Sequence, residues 1–451
     1  MYIKLKKGEG RLLKSGGAWV FDNEIQEVSD DIEDGELVEV HDFDDFFMGW
    51  GFYNSASKIR VRMLCRHRKE KPDEAFFRER VRAAVEYRKN TVDMNACRLI
   101  FSEADFFPGM VVDKYNDLLV VESLALGIDR LKPMILRLLL EELNNIDFDG
   151  GSVDEKKNIR VNAEKNAEDT VKNTGFKIRG IYERSDAPVR KKEGMKPFKG
   201  WLYTAEKGFI DEPFNDMQRE WNPDEDYLER AESPLTEIVE NGVRYTVDVE
   251  NGQKTGFFLD QKYNRMEIQK LARGKSVLDC FTHMGTFALN AARGGATDVL
   301  GLDISELAVQ QATANAKLNG LENTAHFEVA DVLDALPQMR KEGRLFDLVI
   351  LDPPAFTKSK NTVKQAEKGY REINREGMML VRDGGYLATC SCSHFMDEEL
   401  FKKVINQAAV SAHKRLRQVE FRTQSPDHPI LWGLDSSYYL KFIIFQVVNE
   451  K

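Results

Sequence analysis

From residue 276 onward the chain alternates short apolar runs with amphipathic stretches, and this alternation constrains the fold more than any other feature. The apolar runs fall near 276–280, 298–303, 325–330, 346–351 and 385–391. Between them lie helical patterns such as 305–319, with Ser305 placed to cap the start and Gly320 to stop the end. Strand–helix alternation implies a parallel sheet with helices on both faces. Ligands of such sheets gather at the C-terminal ends of the strands. Four runs carry an acid there: Asp279, Asp303, Asp352 and, just past the third run, Asp331. Any one of them reads equally well as a helix cap. Four along one edge favour a binding site.

The chemistry of that edge is specific. A carboxylate after the second strand is placed to hold ribose hydroxyls. The first turn lacks a G-x-G-x-x-G pattern and offers only Gly285 for close backbone approach. That argues against a pyrophosphate cofactor and suits S-adenosylmethionine, which has a ribose and an adenine but no phosphate. Downstream, Asp352-Pro353-Pro354-Ala355-Phe356 sets a rigid turn at the end of one strand. Thr389-Cys390-Ser391-Cys392-Ser393 brings a cysteine to the end of the next. A carboxylate and a thiol at adjacent strand ends are what carbon alkylation of a pyrimidine needs: one grips the base, the other attacks it. The competing reading of either cysteine is a small buried packing residue.

At 451 residues the chain is long enough for two or three domains. No run approaches ~18 apolar residues, so no membrane span is expected. The opening MYIKLKKGEG lacks a signal-peptide core, which suggests a cytoplasmic protein. Five cysteines without paired spacing suggest neither a disulfide framework nor a metal site. The net charge is −10, much of it from an acidic segment at 199–233. Against it stands a basic strip at 58–71, with seven basic residues and one acid. The strip reads evenly as a phosphate footprint or a solvated strand.

Residues 1–72 read as short strands at 19–21, 37–40, 48–53 and 59–64, closing as a small β-barrel with the arginines of the last strand on its wet face. Residues 73–234 read as an α/β domain. It has helices at 76–89 and 131–143, strands at 110–113, 118–122 and 178–184, and insertions near 151–175 and 199–233. Residues 235–451 hold the alternating sheet, led by a hairpin across Asn241-Gly242 and ended by a pair of closing strands.

Over almost its whole length the chain resembles class I methyltransferases with an N-terminal PUA domain, specifically the bacterial 23S ribosomal RNA cytosine-5 methyltransferase type. The resemblance runs through Leu13-Lys14 to Phe21, Phe101-Ser102-Glu103-Ala104-Asp105 with Pro108-Gly109, and Glu183-Arg184-Ser185-Asp186. It continues through the stretch from Gly252 to Gln261, Asp279 to Phe287, Asp352-Pro353-Pro354 and Ser391-Cys392-Ser393. It implies an α/β fold: a Rossmann-like methyltransferase sheet, preceded by a small α/β middle domain and a PUA-like barrel. It further implies that Lys254, Thr255, Gly256, Asp260, Gln261 and Arg265 help enclose S-adenosylmethionine. Asp303 would hold its ribose, Asp331 its adenine edge, and the loop with Asp279, Phe281 and Gly285 its methionine end.

By the same resemblance Cys392 is the nucleophile and Asp352 grips the base; an extended strand is expected to turn Cys390, the rival, to the opposite face from Cys392. RNA would be held by Lys58, Arg60, Arg62, Arg66 and Arg68, with Arg190 and Lys191 as a second cluster. The implied partner is 23S rRNA or a precursor ribosomal subunit, with a homodimer left open. Ala355 stands where a lysine or second cysteine is usual, so the base that removes the carbon-5 proton is unassigned. Met284 and Thr286 also depart from the pattern. Three alternatives stay open: an rRNA methyltransferase acting on a guanine or adenine nitrogen, a non-catalytic RNA-binding ribosome-assembly protein, and a small-molecule methyltransferase, which would need no PUA-like domain.

Overall fold

The computed structural model describes residues 1–146, 175–209, 232–357 and 359–450. The chain forms two compact units, one of residues 1–236 with 248–257, the other of 237–247 with 258–451. No helix among the described residues is long and apolar enough to cross a membrane.

The first unit holds two sheets. One contains β1 (Tyr2–Leu5), β2 (Trp19–Phe21), β3 (Ile25–Val28), β4 (Leu37–His41), β5 (Phe47–Tyr53) and β6 (Ile59–Cys65), in the order β2-β6-β5-β4-β1-β3. The four expected strands are present; β1 and β3, four residues each, gave too short a pattern to read. Val20 from one edge strand and Ile25 from the other pack into a single core with Ile3, Leu5, Val38, Val40 and Val61, so the sheet curls on itself.

The second sheet contains β7 (Ala96–Phe101), β8 (Met110–Tyr115), β9 (Leu118–Ser123), β10 (Gly180–Ser185), β11 (Phe198–Thr204) and β12 (Gly208–Phe209), in the order β12-β11-β10-β9-β8-β7. Helices Glu74–Thr91 and Leu126–Asn144 supply residues to its core. Phe52, Leu64 and Cys65 of the first sheet share that core, and a Cβ on Gly127 would lie 2.2 Å from the Phe52 ring.

Two expectations change here. The arginine-bearing face of β6 is not wholly wet: Arg62 is buried, bonded to Glu103 and Glu193 at 3.2 and 2.9 Å. Alternation sorts a strand into two faces but does not say what covers each. The acidic stretch from 199 does not begin as an insertion either, since β11 and β12 continue the sheet through Phe209. Its remainder, 210–231, and the expected insertion near 151–175, save Gly175, lie outside the described residues.

A hairpin of β13 (Leu235–Glu240) and β14 (Val243–Asp248) follows. Asn241 and Gly242 have φ of 53° and 76°, the two left-handed residues a tight hairpin turn requires. The second unit is then built on β15 (Ser276–Cys280), β16 (Asp298–Asp303), β17 (Ala325–Val329), β18 (Phe346–Leu351), β19 (Val381–Ser391), β20 (Lys414–Arg422) and β21 (Lys441–Asn449). Their order is β17-β16-β15-β18-β19-β21-β20. The first five run parallel, and β21 and β20 close the sheet antiparallel. Ser305 caps the helix Glu306–Leu318 as expected, accepting from the Ala308 amide.

One ion pair secures the entry to this unit. Glu240 accepts two hydrogen bonds from Arg265, at 2.6 and 2.8 Å, with both side chains at or below 1% exposure. Removing one partner leaves the other charge buried and uncompensated. Glu240→Ala is therefore expected to cost about 3–5 kcal/mol in urea unfolding of the second unit. Arg244→Ala, which breaks the half-exposed pair with Glu237, should cost under about 1 kcal/mol. Equal effects would contradict the assignment of Arg265 as a structural anchor.

Candidate active site

The parallel register brings the strand ends together. Cys280 pairs with both Leu302 and Leu351, and Leu351 with Thr389, so Asp352 emerges level with Cys390. The first four acids do not serve alike. Asp279 is fully buried: its Oδ2 accepts from Thr282 Oγ1 at 2.6 Å and from the Ala288 amide at 2.9 Å. Its Oδ1 has no partner among the described residues. Burial pushes its pKa up to about 7 against those two hydrogen bonds, with the charges of Asp352 and Asp303 acting in the same direction as burial.

The turn that follows is wound. Phe281, His283 and Gly285 have φ of 64°, 51° and 83°, and two of the three pay the cost of a side chain in the left-handed region. At Gly285 a Cβ would also lie 2.9 Å from the Phe327 ring. His283 donates its amide to Asp303 Oδ2 at 2.9 Å and sets its ring edge-on to Phe258, centroids 5.2 Å apart. Burial lowers its pKa, and its Nδ1 has no partner among the described residues.

Asp303 is half-buried, and its other oxygen accepts the Ser305 amide at 2.9 Å. A carboxylate has about four acceptor positions, so two fixed bonds orient it and leave capacity for a ligand. Asp331 is exposed and caps the helix Val332–Lys341 through the Leu333 amide at 2.9 Å, so for this residue the capping reading holds.

The stretch 254–265 divides between the units. In the first, Lys254 is exposed with φ 52°, Gly256 has φ 135°, and buried Thr255 donates to Asp113 at 2.6 Å and lies 2.9 Å from the Tyr115 hydroxyl. In the second, Asp260 accepts from the Tyr439 hydroxyl at 2.8 Å. Gln261 donates to Asp352 Oδ1 at 3.2 Å and is itself held by Asn264 at 2.6 Å. Arg265, grouped in the sequence with ligand residues, is engaged by Glu240 and by the Phe258 carbonyl.

At the far side, burial pushes the Asp352 pKa up to about 6, aided by the Asp260 charge and opposed by bonds from Cys390 and Gln261 and by the charge of Arg265. The expected placement of Cys390 on the face opposite Cys392 does not follow from strand geometry. Residues two apart in a strand share a face, and the Cys390 thiol bonds Asp352. Cys390 is fully buried, and burial pushes its thiol well up, with Asp352 acting in the same direction. Cys392, just past the end of β19, is partly exposed. Its neighbours are pinned: Ser391 Oγ donates to the Tyr370 hydroxyl at 3.1 Å, and Ser393 Oγ to the Thr357 carbonyl at 2.9 Å. Sequence reasoning missed Tyr370 and Lys441, whose Nζ donates to the Ser393 carbonyl at 2.7 Å. A charged residue opens the largely apolar run of β21, but nothing in the sequence ties Lys441 to Cys392.

The basic residues of the first unit also divide. Lys58, Arg66, Arg68 and Lys191 are exposed, though Arg66 donates to the Leu13 and Gly17 carbonyls. Arg60 is half-buried against the Ser55 carbonyl. Arg62 and Arg190 are buried, the latter bonded to the Ser123 carbonyl and to Asp129. Neither can meet a phosphate as placed. Among the described residues no cluster of His, Cys, Asp and Glu could hold a metal.

Comparison with known proteins fits this geometry. Residues 3–66 match a PUA-like domain, and residues 214–445 match the S-adenosylmethionine-dependent methyltransferase model. A ribosomal RNA large subunit methyltransferase I from Shewanella denitrificans is 34% identical over 99% of both chains, and one from Pseudoalteromonas translucida 33% over 99% of both. A solved structure assigned as a SAM-dependent methyltransferase, from Streptococcus mutans, covers 99% of this chain and 100% of its own at TM-score 0.72 and 20% identity. The chain thus belongs to the S-adenosylmethionine-dependent methyltransferase family, in the group that carries an N-terminal PUA-like domain.

Proposed function

We propose that this protein methylates carbon 5 of a cytosine in 23S ribosomal RNA, with Cys392 as nucleophile and Asp352 as the group that grips the base. The full-length relatives named as large-subunit ribosomal RNA methyltransferases support the substrate class. The observation that carries the chemistry is the contrast at two adjoining strand ends. Asp352 and a sealed Cys390 lie together, while Cys392 is accessible two residues on.

The residues present fit S-adenosylmethionine. Asp303 has acceptor capacity for ribose hydroxyls, and Asp331 lies at the adjoining strand end for the adenine edge. The wound turn 279–285, with the unmatched Asp279 Oδ1, suits the cationic methionine end. Bound there, S-adenosylmethionine supplies an electrophilic methyl group to carbon 5.

The chain's own residues prepare the base. The Cys392 thiolate bonds to carbon 6, and the displaced electron pair of the 5–6 double bond moves through the ring to N3. A protonated Asp352 meets it there, leaving an enamine with a nucleophilic carbon 5. A pKa near 6 makes that proton easier to keep than in an ordinary aspartic acid, and a base seated over it removes more water. After methylation, loss of the carbon-5 proton expels the thiolate. The target base must leave its stack to reach this edge.

Three outcomes follow. Cys392→Ala should lose methyl transfer to 23S rRNA on the order of 10³-fold or more, while Cys390→Ala keeps most of it. An active Cys392→Ala enzyme, with label in a purine, would point to nitrogen methylation instead. For Asp352, the folded state holds its proton between about pH 4 and 6 while the unfolded chain has released it, so stability falls as pH rises through that window. The melting temperature of Asp352→Asn minus that of wild type should grow from pH 4 to 6 and level off above; a constant difference would contradict the raised pKa. Replacing Lys58, Arg68 and Lys191 by alanine should weaken RNA binding and flatten its salt dependence, by roughly 0.7 in the log–log slope per lost phosphate contact. An unchanged slope would remove these residues from the RNA footprint.

A further inference from the structure

Lys441 is the first residue of β21 and is only 2% exposed. Its Cα is the register partner of Ser391, the residue before Cys392. Its Nζ donates to the carbonyl of Ser393, the residue after Cys392, at 2.7 Å, and to the Tyr439 carbonyl at 2.9 Å. The Tyr438 ring lies 5.7 Å away. An ammonium has three donors, so one is not used by these carbonyls. Among the described residues Lys441 forms no ion pair with a carboxylate. A buried cation held only by neutral oxygens is costly unless some charge compensates it.

We propose that Lys441 is a positioning residue for the Cys392 nucleophile: its buried ammonium, bonded to the carbonyl of the residue after Cys392, stabilises the attacking thiolate. The inference rests on Cys392 being the nucleophile. Electrostatics agree with the geometry. Burial lowers the Lys441 pKa to about 8, and of the charges that draw it back up Cys392 is the strongest, ahead of Asp397 and Glu398. Coupling between two charges is reciprocal, so the ammonium favours the thiolate as much as the thiolate favours the ammonium. Among the described residues, Tyr370 and Cys390 also interact with the thiol, and Asp397, Glu398 and Tyr438 with the lysine. None of these named groups is a cation.

The test is the pH profile of Cys392 alkylation by iodoacetamide, read by peptide mass spectrometry in the full-length protein. Wild type, Lys441→Met and Lys441→Arg would be compared. Wild type should titrate below the ordinary thiol value of about 8.5, and Lys441→Met at least one unit higher. Near neutral pH the Met variant then reacts roughly tenfold more slowly, converging with wild type at high pH. Lys441→Arg, which keeps the charge, should stay close to wild type. Identical profiles for wild type and Lys441→Met would overturn the proposal. So would a wild-type midpoint above about 9, a result that does not depend on any variant folding. Methyl transfer by Cys392→Ala separates the two levels. An active Cys392→Ala enzyme sinks the nucleophile and, with it, the role of Lys441. An inactive one with unshifted alkylation sinks the role of Lys441 alone.

Discussion

Everything at the candidate site depends on the parallel pairing of β15, β18 and β19. The register Cys280–Leu351–Thr389 fixes where each strand stops, and each stops on a group with chemistry. Because the strands point the same way, Asp279, Asp352 and Cys390 leave the sheet at one edge, without long loops to hold them. The antiparallel β21 then brings Lys441 to the same edge from the opposite direction. Rigid strands rather than flexible connections thus set the distances between the residues of this edge.

The site also works by withholding water. Asp279 and Asp352 are both shifted upward mainly by burial, and the hydrogen bonds they accept only partly restore the charged form. Asp303, at the same edge, is more open to solvent. The same contrast separates the two cysteines. Burial keeps Cys390 a protonated bonding partner of Asp352, whereas Cys392 is partly exposed and has a buried cation beside its backbone. Gln261 and Arg265 support this arrangement from outside it, the first by bonding Asp352 directly and the second by anchoring the preceding hairpin through Glu240.

Much of this was legible in the sequence. The doubly wound sheet announced itself through strand–helix alternation, and the hairpin at Asn241-Gly242 through its turn chemistry. Other features were hidden for physical reasons. Strands Tyr2–Leu5 and Ile25–Val28 are too short to show a period. Arg62 and Arg190 look like surface charge because a sequence lists cations without their partners; Glu103, Glu193 and Asp129 lie far away in the chain. The acids were visible as a series, but only placement separates Asp331, which caps a helix in the open, from Asp279, which is sealed. Lys441 was invisible as a site residue because its relation to Cys392 is made by strand pairing across nearly fifty positions.

The most direct measurement is covalent capture on RNA carrying 5-fluorocytidine. Fluorine at carbon 5 cannot leave as a proton does, so a thiol bonded to carbon 6 stays attached after methyl transfer. With S-adenosylmethionine present, the account predicts a denaturation-resistant protein–RNA adduct whose cross-linked peptide carries the nucleotide on Cys392. No adduct with an RNA that the enzyme methylates in its unfluorinated form, or an adduct on Cys390, would contradict it.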